Sequence, residues 1–343
     1  MTENNQPFRT VTSLAHPSLA IAKYWGKLPE GINIPATTSV AVTLQAMSAR
    51  TTVRLYHRDT EESDQDRVML NGIVQTSRRF QPFFDAVRTE LTRDPVPAHP
   101  DLDPVRLTFD VESRNDFPTA AGLASSAAGF AAMAAGCLAA LTDQFDPDRA
   151  SRLARTGSGS ACRSIYGGFT RWSAGAESAQ QLYPESWWPD LRVVVLPVTT
   201  AEKPLSSREA MNRTRDTSPY FRAWVEDAPA LSGEVEQALA NHDLERLGNA
   251  ARLSYLRMFG TMISTAPPVL YWLPESVRIV QELETMRAQG IPVWETMDAG
   301  PQVKVFTDND HALLVAEKFS EFVAAPPIIS DVGSGVTTEY TDQ

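Results

Sequence analysis

Three stretches of this 343-residue chain carry side chains whose types and spacing suit the binding of phosphate. The first is Phe117 to Phe130, reading FPTAAGLASSAAGF, where almost every side chain between Thr119 and Gly129 is tiny. Such a run lets a ligand approach the backbone closely and meet unpaired N–H donors at a helix N-terminus, which is how polyphosphates are held. Smallness also suits a tight Gly/Ala contact between packed elements, and small residues alone leave the two readings even. Ser125 and Ser126 favour phosphate, because they place hydroxyls where packing prefers Ala, at the positive end of the helix predicted over Ala127 to Ala140. No Gly-Lys-Ser/Thr closes the loop, so it is not the P-loop of nucleoside triphosphatases.

The second stretch, Lys23-Tyr24-Trp25-Gly26-Lys27, follows a short apolar strand that starts at Ser18. Its glycine would let both ammonium groups converge, although snorkelling lysines at a strand end are the plainer reading. The third, Ser158-Gly159-Ser160-Ala161-Cys162-Arg163, offers hydroxyls and a guanidinium able to grip a phosphate bidentately. Alone it is a common Ser/Gly turn. Beside the first loop it suggests two phosphate-bearing ligands.

The elements that must position these groups read as a mixture of strands and helices. Ile32 to Leu44 and Thr51 to Tyr56 alternate like antiparallel strands, and Arg67 to Gly72 reads as an edge with a turn at Asn71-Gly72. The polar segment Asp59 to Asp66 is a solvated loop. Arg78 and Arg79 open a helix with Phe80, Phe83, Phe84 and Val87 at helical spacing, one arginine placed to reach inward. After the proline-rich connection Pro95 to Pro104, the strand Val105 to Glu112 leads into the small-residue loop and its helix. Further on, Leu191 to Leu196 predicts a strand, Ser218 to Glu226 and Gly233 to Ile263 predict helices with a break near Asn241-His242, and Ser276 to Gln289 predicts an amphipathic helix. Ile291 to Met297 and Gln302 to Phe306 are strands flanking Asp298-Ala-Gly-Pro301. Asp310 to Phe322 is a helix, and Ile328-Ile329 begins a last short strand.

A content of 43% hydrophobic and 21% charged residues predicts an ordinary globular protein of two domains or two lobes. No apolar run approaches the ~20 residues of a membrane span, and the polar start MTENNQPFRT lacks the order of a signal peptide, so a cytoplasmic protein is expected. A net charge of −11 argues against nucleic acid or an anionic membrane as partner. An anionic small substrate then requires a local cluster of Lys and Arg against the global balance. Cys137 and Cys162 have no His at metal-ligand spacing and read as two reduced thiols.

Five motifs together resemble the diphosphomevalonate decarboxylases of the GHMP kinase superfamily: AKYWGK (Ala22 to Lys27), FPTAAGLASSAAG (Phe117 to Gly129), ARTGSGSACRSIYGG (Ala154 to Gly168), SSREAMNRTRDTSPYF (Ser206 to Phe221) and MDAGPQVKVF (Met297 to Phe306). They occur in the family's order through most of the chain. The resemblance implies an α+β GHMP kinase fold, with a ribosomal-protein-S5-like domain over residues 1–188, a C-terminal α+β domain over 189–343, and the site between them. It implies that ATP with Mg²⁺ phosphorylates the tertiary alcohol of mevalonate 5-diphosphate, after which phosphate and carbon dioxide leave to give isopentenyl diphosphate, in a homodimeric enzyme.

By the same resemblance Asp298 is the catalytic aspartate, assisted by Lys23 and Arg163. Without the family match, Asp298 would read more readily as a turn residue of Asp-Ala-Gly-Pro. Ser18, Tyr24, Trp25, Gly26, Lys27, Arg79, Ser158, Gly159, Ser160, Ala161, Cys162, Arg163 and Thr217 are implied at the diphosphomevalonate, and Ala121, Gly122, Leu123, Ala124, Ser125, Ser126 and Ser207 at ATP, with Ser125 toward the metal. Arg208 lies beside Ser207 in the segment that the family closes over its ligands. The chain departs from the family's pattern at Ser18 (usually Asn), at Leu28-Pro29 after Lys27 (usually Arg-Asp) and at Gln302 (usually Asn). A decarboxylase of the 5-phosphate, a mevalonate 3-kinase and a non-catalytic ATP-binding homologue stay open as alternatives.

Overall fold

The computed structural model describes residues 7–57, 66–93, 103–117, 125–142 and 145–340. The expected loop Asp59 to Asp66 and connection Pro95 to Pro104 lie, but for their C-terminal ends, outside the described residues, as do Ala121, Gly122, Leu123 and Ala124 of the small-residue loop. The first half of the chain forms β1 (Arg9–Ala15), β2 (Ser18–Ala22), β3 (Ser39–Thr43), β4 (Ala49–His57), β5 (Arg67–Leu70), β6 (Ile73–Val74), α1 (Ser77–Arg93), β7 (Leu107–Asn115), α2 (Ser125–Leu141), α3 (Pro147–Gly157), β8 (Phe169–Trp172) and β9 (Gln180–Tyr183). The second half adds β10 (Leu191–Leu196), α4 (Ser207–Thr217), α5 (Phe221–Asn241), α6 (Leu244–Ile263), α7 (Pro274–Ala288), β11 (Trp294–Met297), β12 (Val303–Asp308), α8 (Asn309–Phe319), β13 (Ile328–Ser330) and β14 (Thr337–Tyr340).

Among the described residues the strands make three sheets, ordered β14-β1-β4-β7-β5-β6, β2-β3-β8-β9 and β11-β12-β10-β13. Neighbours are antiparallel except β5 and β7. This is the expected α+β architecture. Helix α2 reads SSAAGFAAMAAGCLAAL, apolar on every side, and a helix of that kind has to be covered all round. Its residues from Phe130 to Leu141 are buried, most of them completely. The small side chains let it lie hard on the first sheet: a Cβ added at Gly136 would sit 2.8 Å from Val53 and 2.9 Å from the Ser13 hydroxyl. At its start Phe130 meets Phe80 and Phe83 of α1, with ring centroids 5.6 Å apart in both pairs. The apolar stripe of α1 is thus core, and of its two opening arginines Arg79 turns toward a cleft while Arg78 does not.

A second core lies between the third sheet and helices α6, α7 and α8, around Tyr255, Phe259, Leu283 and Phe319. A third joins the halves: Leu19, Ile21, Val40 and Val42 of β2 and β3 pack with Val193, Val235, Leu239, Leu247 and Phe306 of the second half. The end of the chain also returns. Strand β14 pairs with β1 from Val11↔Tyr340 to Leu14↔Thr337, and Gly333 exchanges backbone hydrogen bonds with Thr43 and Gly168.

Several expectations are corrected. Only Ser39–Thr43 of the stretch Ile32 to Leu44 is strand, because positive φ at Gly31 and Asn33 and the imide of Pro35 break the ladder before it. A helix, α4, occupies 207–217 where none was expected. Its signal is Ser206-x-x-Glu209, a capping box in which each side chain meets the other's backbone N–H. Helix α5 starts at Phe221 rather than Ser218 and runs unbroken through Gly233. The expected break after Asn241 is there, with His242 in the left-handed region at φ +53. Strand β14 was not expected, since TTEY is polar and largely exposed, and only its pairing with β1 makes it a strand.

Candidate active site

Lys23 follows the last residue of β2 and is 2% exposed, while Asp298 follows the last residue of β11, so two strand ends from the two halves bring them together. The Lys23 ammonium donates to Asp298 Oδ1 at 2.8 Å and to the Ala20 carbonyl at 2.7 Å. Lys304, buried on β12, donates to Asp298 Oδ2 at 3.3 Å. Burial opposes ionisation of Asp298, but the two ammonium groups outweigh it and hold the carboxyl well below the usual carboxylate range. Burial brings Lys23 down to about 8, with Asp298 pulling the other way. Asp298 keeps 30% of its side chain exposed, and that part lines a cleft of about 570 Å³.

Among the described residues six basic side chains line the same cleft, Lys23, Lys27, Arg79, Arg163, Lys203 and Arg208, against one carboxylate. In a chain of net charge −11 this is the local reversal that an anionic ligand needs. Arg163 sits in a short 3₁₀ helix, Gly159–Ile165, and is almost wholly buried. It donates from Nη1 to the Ser39 hydroxyl at 2.6 Å, and its Nε has no partner among the described residues. The buried Tyr24 hydroxyl also lacks one, burial raises its pKa, and its ring packs 4.8 Å from Trp172. Two unpartnered polar groups facing a cationic cleft are what a bound anion would satisfy.

Lys27 donates to Asn33 Oδ1 at 2.6 Å, and Asn33 Nδ2 donates to the Arg155 carbonyl at 2.8 Å, which fixes the amide's orientation. Burial, then Arg208 and Arg215, bring Lys27 down to about 8. Lys203 is brought to about 8 as well, chiefly by burial, and bridges the Ser207 hydroxyl at 2.6 Å and the Ala299 carbonyl at 2.9 Å. Arg79, not Arg78, lines the cleft. Ser125 and Ser126 open α2 at the cleft wall, and the Ser126 hydroxyl lies 3.2 Å from that of Ser158. Hydroxyls at the start of a 17-residue helix, in a cleft that Lys203 and Arg208 also line, fit a triphosphate. No three His, Cys, Asp or Glu side chains cluster among the described residues. The hydroxyl of Ser125, at the cleft wall, is the oxygen donor that fits a Mg²⁺ carried in on phosphate oxygens.

Of the residues implied at the substrate, Ser18, Tyr24, Trp25, Lys27, Arg79, Ser158, Gly159, Ser160 and Arg163 line the cleft. Ser18 is held by Ser164, whose hydroxyl accepts its N–H at 3.1 Å. Four others do not reach it. Gly26 has φ +107, and a Cβ there would meet the Phe221 ring at 2.7 Å, so it serves the turn and its packing. Ala161 and Cys162 are fully buried within the 3₁₀ helix; the thiol donates to the Gly159 carbonyl at 3.1 Å, and burial pushes it up to about 12. Thr217 is exposed at the end of α4, where its hydroxyl accepts the Ala266 N–H at 3.0 Å. Ser207 and Arg208 line the cleft. Sequence reasoning missed Lys203, Lys304 and Asn33. Lys304 alternates with Val303 and Val305, a pattern that by itself reads as a lysine on the solvent face of a half-buried strand, so its burial was not legible; Lys203 and Asn33 lie in loops that carry no pattern.

The family described as diphosphomevalonate decarboxylase-like N-terminal domain matches residues 15–183, and the mevalonate 5-diphosphate decarboxylase C-terminal domain matches residues 193–340. The diphosphomevalonate decarboxylase of Bos taurus is 36% identical over 339 residues, 94% of this chain and 81% of its own length. Among solved structures, MDDEF in complex with MVAPP, AMPPCP and magnesium superimposes with a TM-score of 0.86 at 34% identity, covering 97% of this chain and 99% of that one. The mevalonate diphosphate decarboxylase of Staphylococcus aureus superimposes with a TM-score of 0.86 at 33% identity, over 96% and 98% of the two chains.

Proposed function

We propose that this chain, which belongs to the diphosphomevalonate decarboxylase family, uses ATP to phosphorylate the 3-hydroxyl of mevalonate 5-diphosphate and then releases phosphate and carbon dioxide to give isopentenyl diphosphate. The observation that carries this reading is the cleft itself, six cations gathered around one carboxylate that is held ionised by Lys23 and Lys304. The relative solved with MVAPP, AMPPCP and magnesium supports the ligand pair.

Asp298 accepts a hydrogen bond from the 3-hydroxyl and aims its oxygen at the γ-phosphorus. With its pKa held so low it is a weak base at rest, which suits a loose phosphoryl transfer in which the hydroxyl proton leaves late. Lys23, locked between Asp298 and the Ala20 carbonyl, fixes the carboxylate that does the aiming. Arg163, Lys27 and Arg79 bind the carboxylate and diphosphate, with Tyr24 and the hydroxyls of Ser18, Ser158 and Ser160 beside them. Ser125, Ser126, Ser207, Lys203 and Arg208 face the triphosphate. Ser125 would hold Mg²⁺ on the phosphate oxygens, and the ion would supply positive charge to the transferring phosphoryl group. When the phosphate leaves, positive charge develops at the tertiary carbon, and the apolar wall of Trp25, Met211 and Met258 keeps water from it while the C–C bond to the carboxylate breaks and its electrons form the alkene.

We propose the division into residues 1–188 and 189–343 with this amendment, that the last strand belongs to the first sheet. No helix among the described residues is long and apolar enough to cross a membrane; a cytoplasmic site of action and a homodimer are what the resemblance supports. The test is ADP and carbon dioxide release measured in parallel with mevalonate, its 5-phosphate and its 5-diphosphate. Equal amounts of both products from the 5-diphosphate, lost by about 10²- to 10⁴-fold in Asp298→Asn, are expected. ADP without carbon dioxide would assign a 3-kinase instead, and preference for the monophosphate a sibling decarboxylase.

A further inference from the structure

Lys23 and Asp298 stand 275 positions apart in the sequence, yet their side chains meet at 2.8 Å. One helix touches the strand behind each. Strand β2 is the edge of its sheet, and its register with β3 slips between Ala20 and Ala22, so the ladder has ended when the chain reaches Lys23. The Lys23 N–H is buried with no strand to donate to, and a buried orphan donor is costly. The Ser254 hydroxyl of α6, on a residue 1% exposed, accepts it at 2.9 Å. On the other side Glu295, fully buried on β11 three positions before Asp298, accepts from Tyr255 Oη at 2.9 Å and Arg252 Nε at 2.6 Å, both on α6, and from Arg287 of α7 at 2.8 Å. Further back on α6, Gly248 seats the helix against β11 so closely that a Cβ would meet the Trp294 indole at 2.0 Å.

We infer that α6 is a brace that sets the Lys23–Asp298 distance across the two halves, with Ser254 as the positioning residue on the Lys23 side and Glu295 on the Asp298 side. Neither lines the cleft, so each acts through the residue that it holds. The inference rests on the reading of Lys23 and Asp298 as the pair at the reacting hydroxyl. Without the Ser254 hydroxyl the backbone at Lys23 loses its anchor while the side chain stays buried. The ammonium, which faces Asp298, Lys304 and Arg163, then drifts from the carboxylate that favours its charge.

The experiment compares the full-length chain with Ser254→Ala and Ser254→Thr. In Ser254→Ala, kcat is expected to fall roughly tenfold or more with KM for both substrates within about twofold, since a displacement of about an ångström misaligns attack without removing a ligand contact. The alkaline break in kcat is expected at lower pH than in the wild type, and Ser254→Thr, which keeps the hydroxyl, is expected to restore both. An unchanged kcat and unchanged break would overturn the brace, even if Ser254→Ala melts at lower temperature. A wild-type chain inactive on the 5-diphosphate would overturn the reading of the reaction instead. The pH dependence of Lys23 acetylation by acetic anhydride, followed by mass spectrometry, then decides the brace alone: it shifts in Ser254→Ala if the brace is right and not otherwise. If Ser254→Ala does not fold, Glu295→Gln carries the same comparison from β11.

Discussion

At the scale of single residues the site is a problem in keeping charges where they are wanted. Three lysines of the cleft, Lys23, Lys27 and Lys203, are brought to about 8 by burial, while Asp298 is held far below the ordinary aspartate range by Lys23 and Lys304 against the effect of burial. Below about pH 8 the ammonium groups are charged and attract phosphate; as pH rises through that value protons leave and the cleft loses positive charge. For the free enzyme kcat/KM is therefore expected to fall on the alkaline side with a break near 8, and to show no acid limb from Asp298 above about pH 4. A profile measured from about pH 6 to about pH 10 that stays flat would contradict these assignments. The motif residues Lys23, Arg163 and Ser158 could be placed at the site from sequence because each sits in a locally distinctive string. Lys203, Lys304 and Asn33 could not, since what makes them part of the site is a partner nearly 100 positions away or more for Lys203 and Asn33, and for Lys304 a strand-end turn whose direction no pattern encodes.

The elements translate those residues into position through close approach of backbones. Helix α3 ends at Gly157, where a Cβ would stand 2.0 Å from the Phe130 ring, so the start of α2 and the Ser158 turn meet only because that position has no side chain. Gly157→Ala is expected to push Phe130 against Phe80 and Phe83 and to cost about 1–3 kcal/mol of stability, read from the midpoint of urea unfolding; an unchanged midpoint would mean that the contact is slack. Elements with a strong periodic or capping signal were legible. The stripe of α1 and the apolar run of α2 gave their faces away, and Ser206-x-x-Glu209 announces α4 to a reader looking for caps. Strand β14 was not legible, because it buries little and exists through the hydrogen bonds that β1 offers it.

At the scale of the whole molecule, the cleft lies where the two halves meet, and the third core, from Leu19 and Val42 to Val235 and Phe306, holds them at that spacing. Among the described residues a single chain supplies all six cations and Asp298. A homodimer is the assembly that the resemblance supports. Light scattering is expected to return twice the 37.7 kDa of one chain, with turnover per chain independent of enzyme concentration; a single-chain mass would remove the dimer and leave the site intact.

The amino-acid sequence by itself determined the mixed α+β class, the small-residue loop and its buried helix, the family, and most of the residues that line the cleft, because local strings and their order carry that information. Only the tertiary structure decided which of the motif residues reach the cleft. Gly26, Ala161, Cys162 and Thr217 stand in matched strings yet serve turns, packing and a neighbouring loop, while Lys203 enters from a loop that no motif marked and Lys304 from within MDAGPQVKVF, where nothing local signals its burial beside Asp298. The physical reason is that a site between two halves is defined by distances such as the 2.8 Å from Lys23 to Asp298, and such a distance belongs to the packing of α6 against both strands rather than to either stretch of chain.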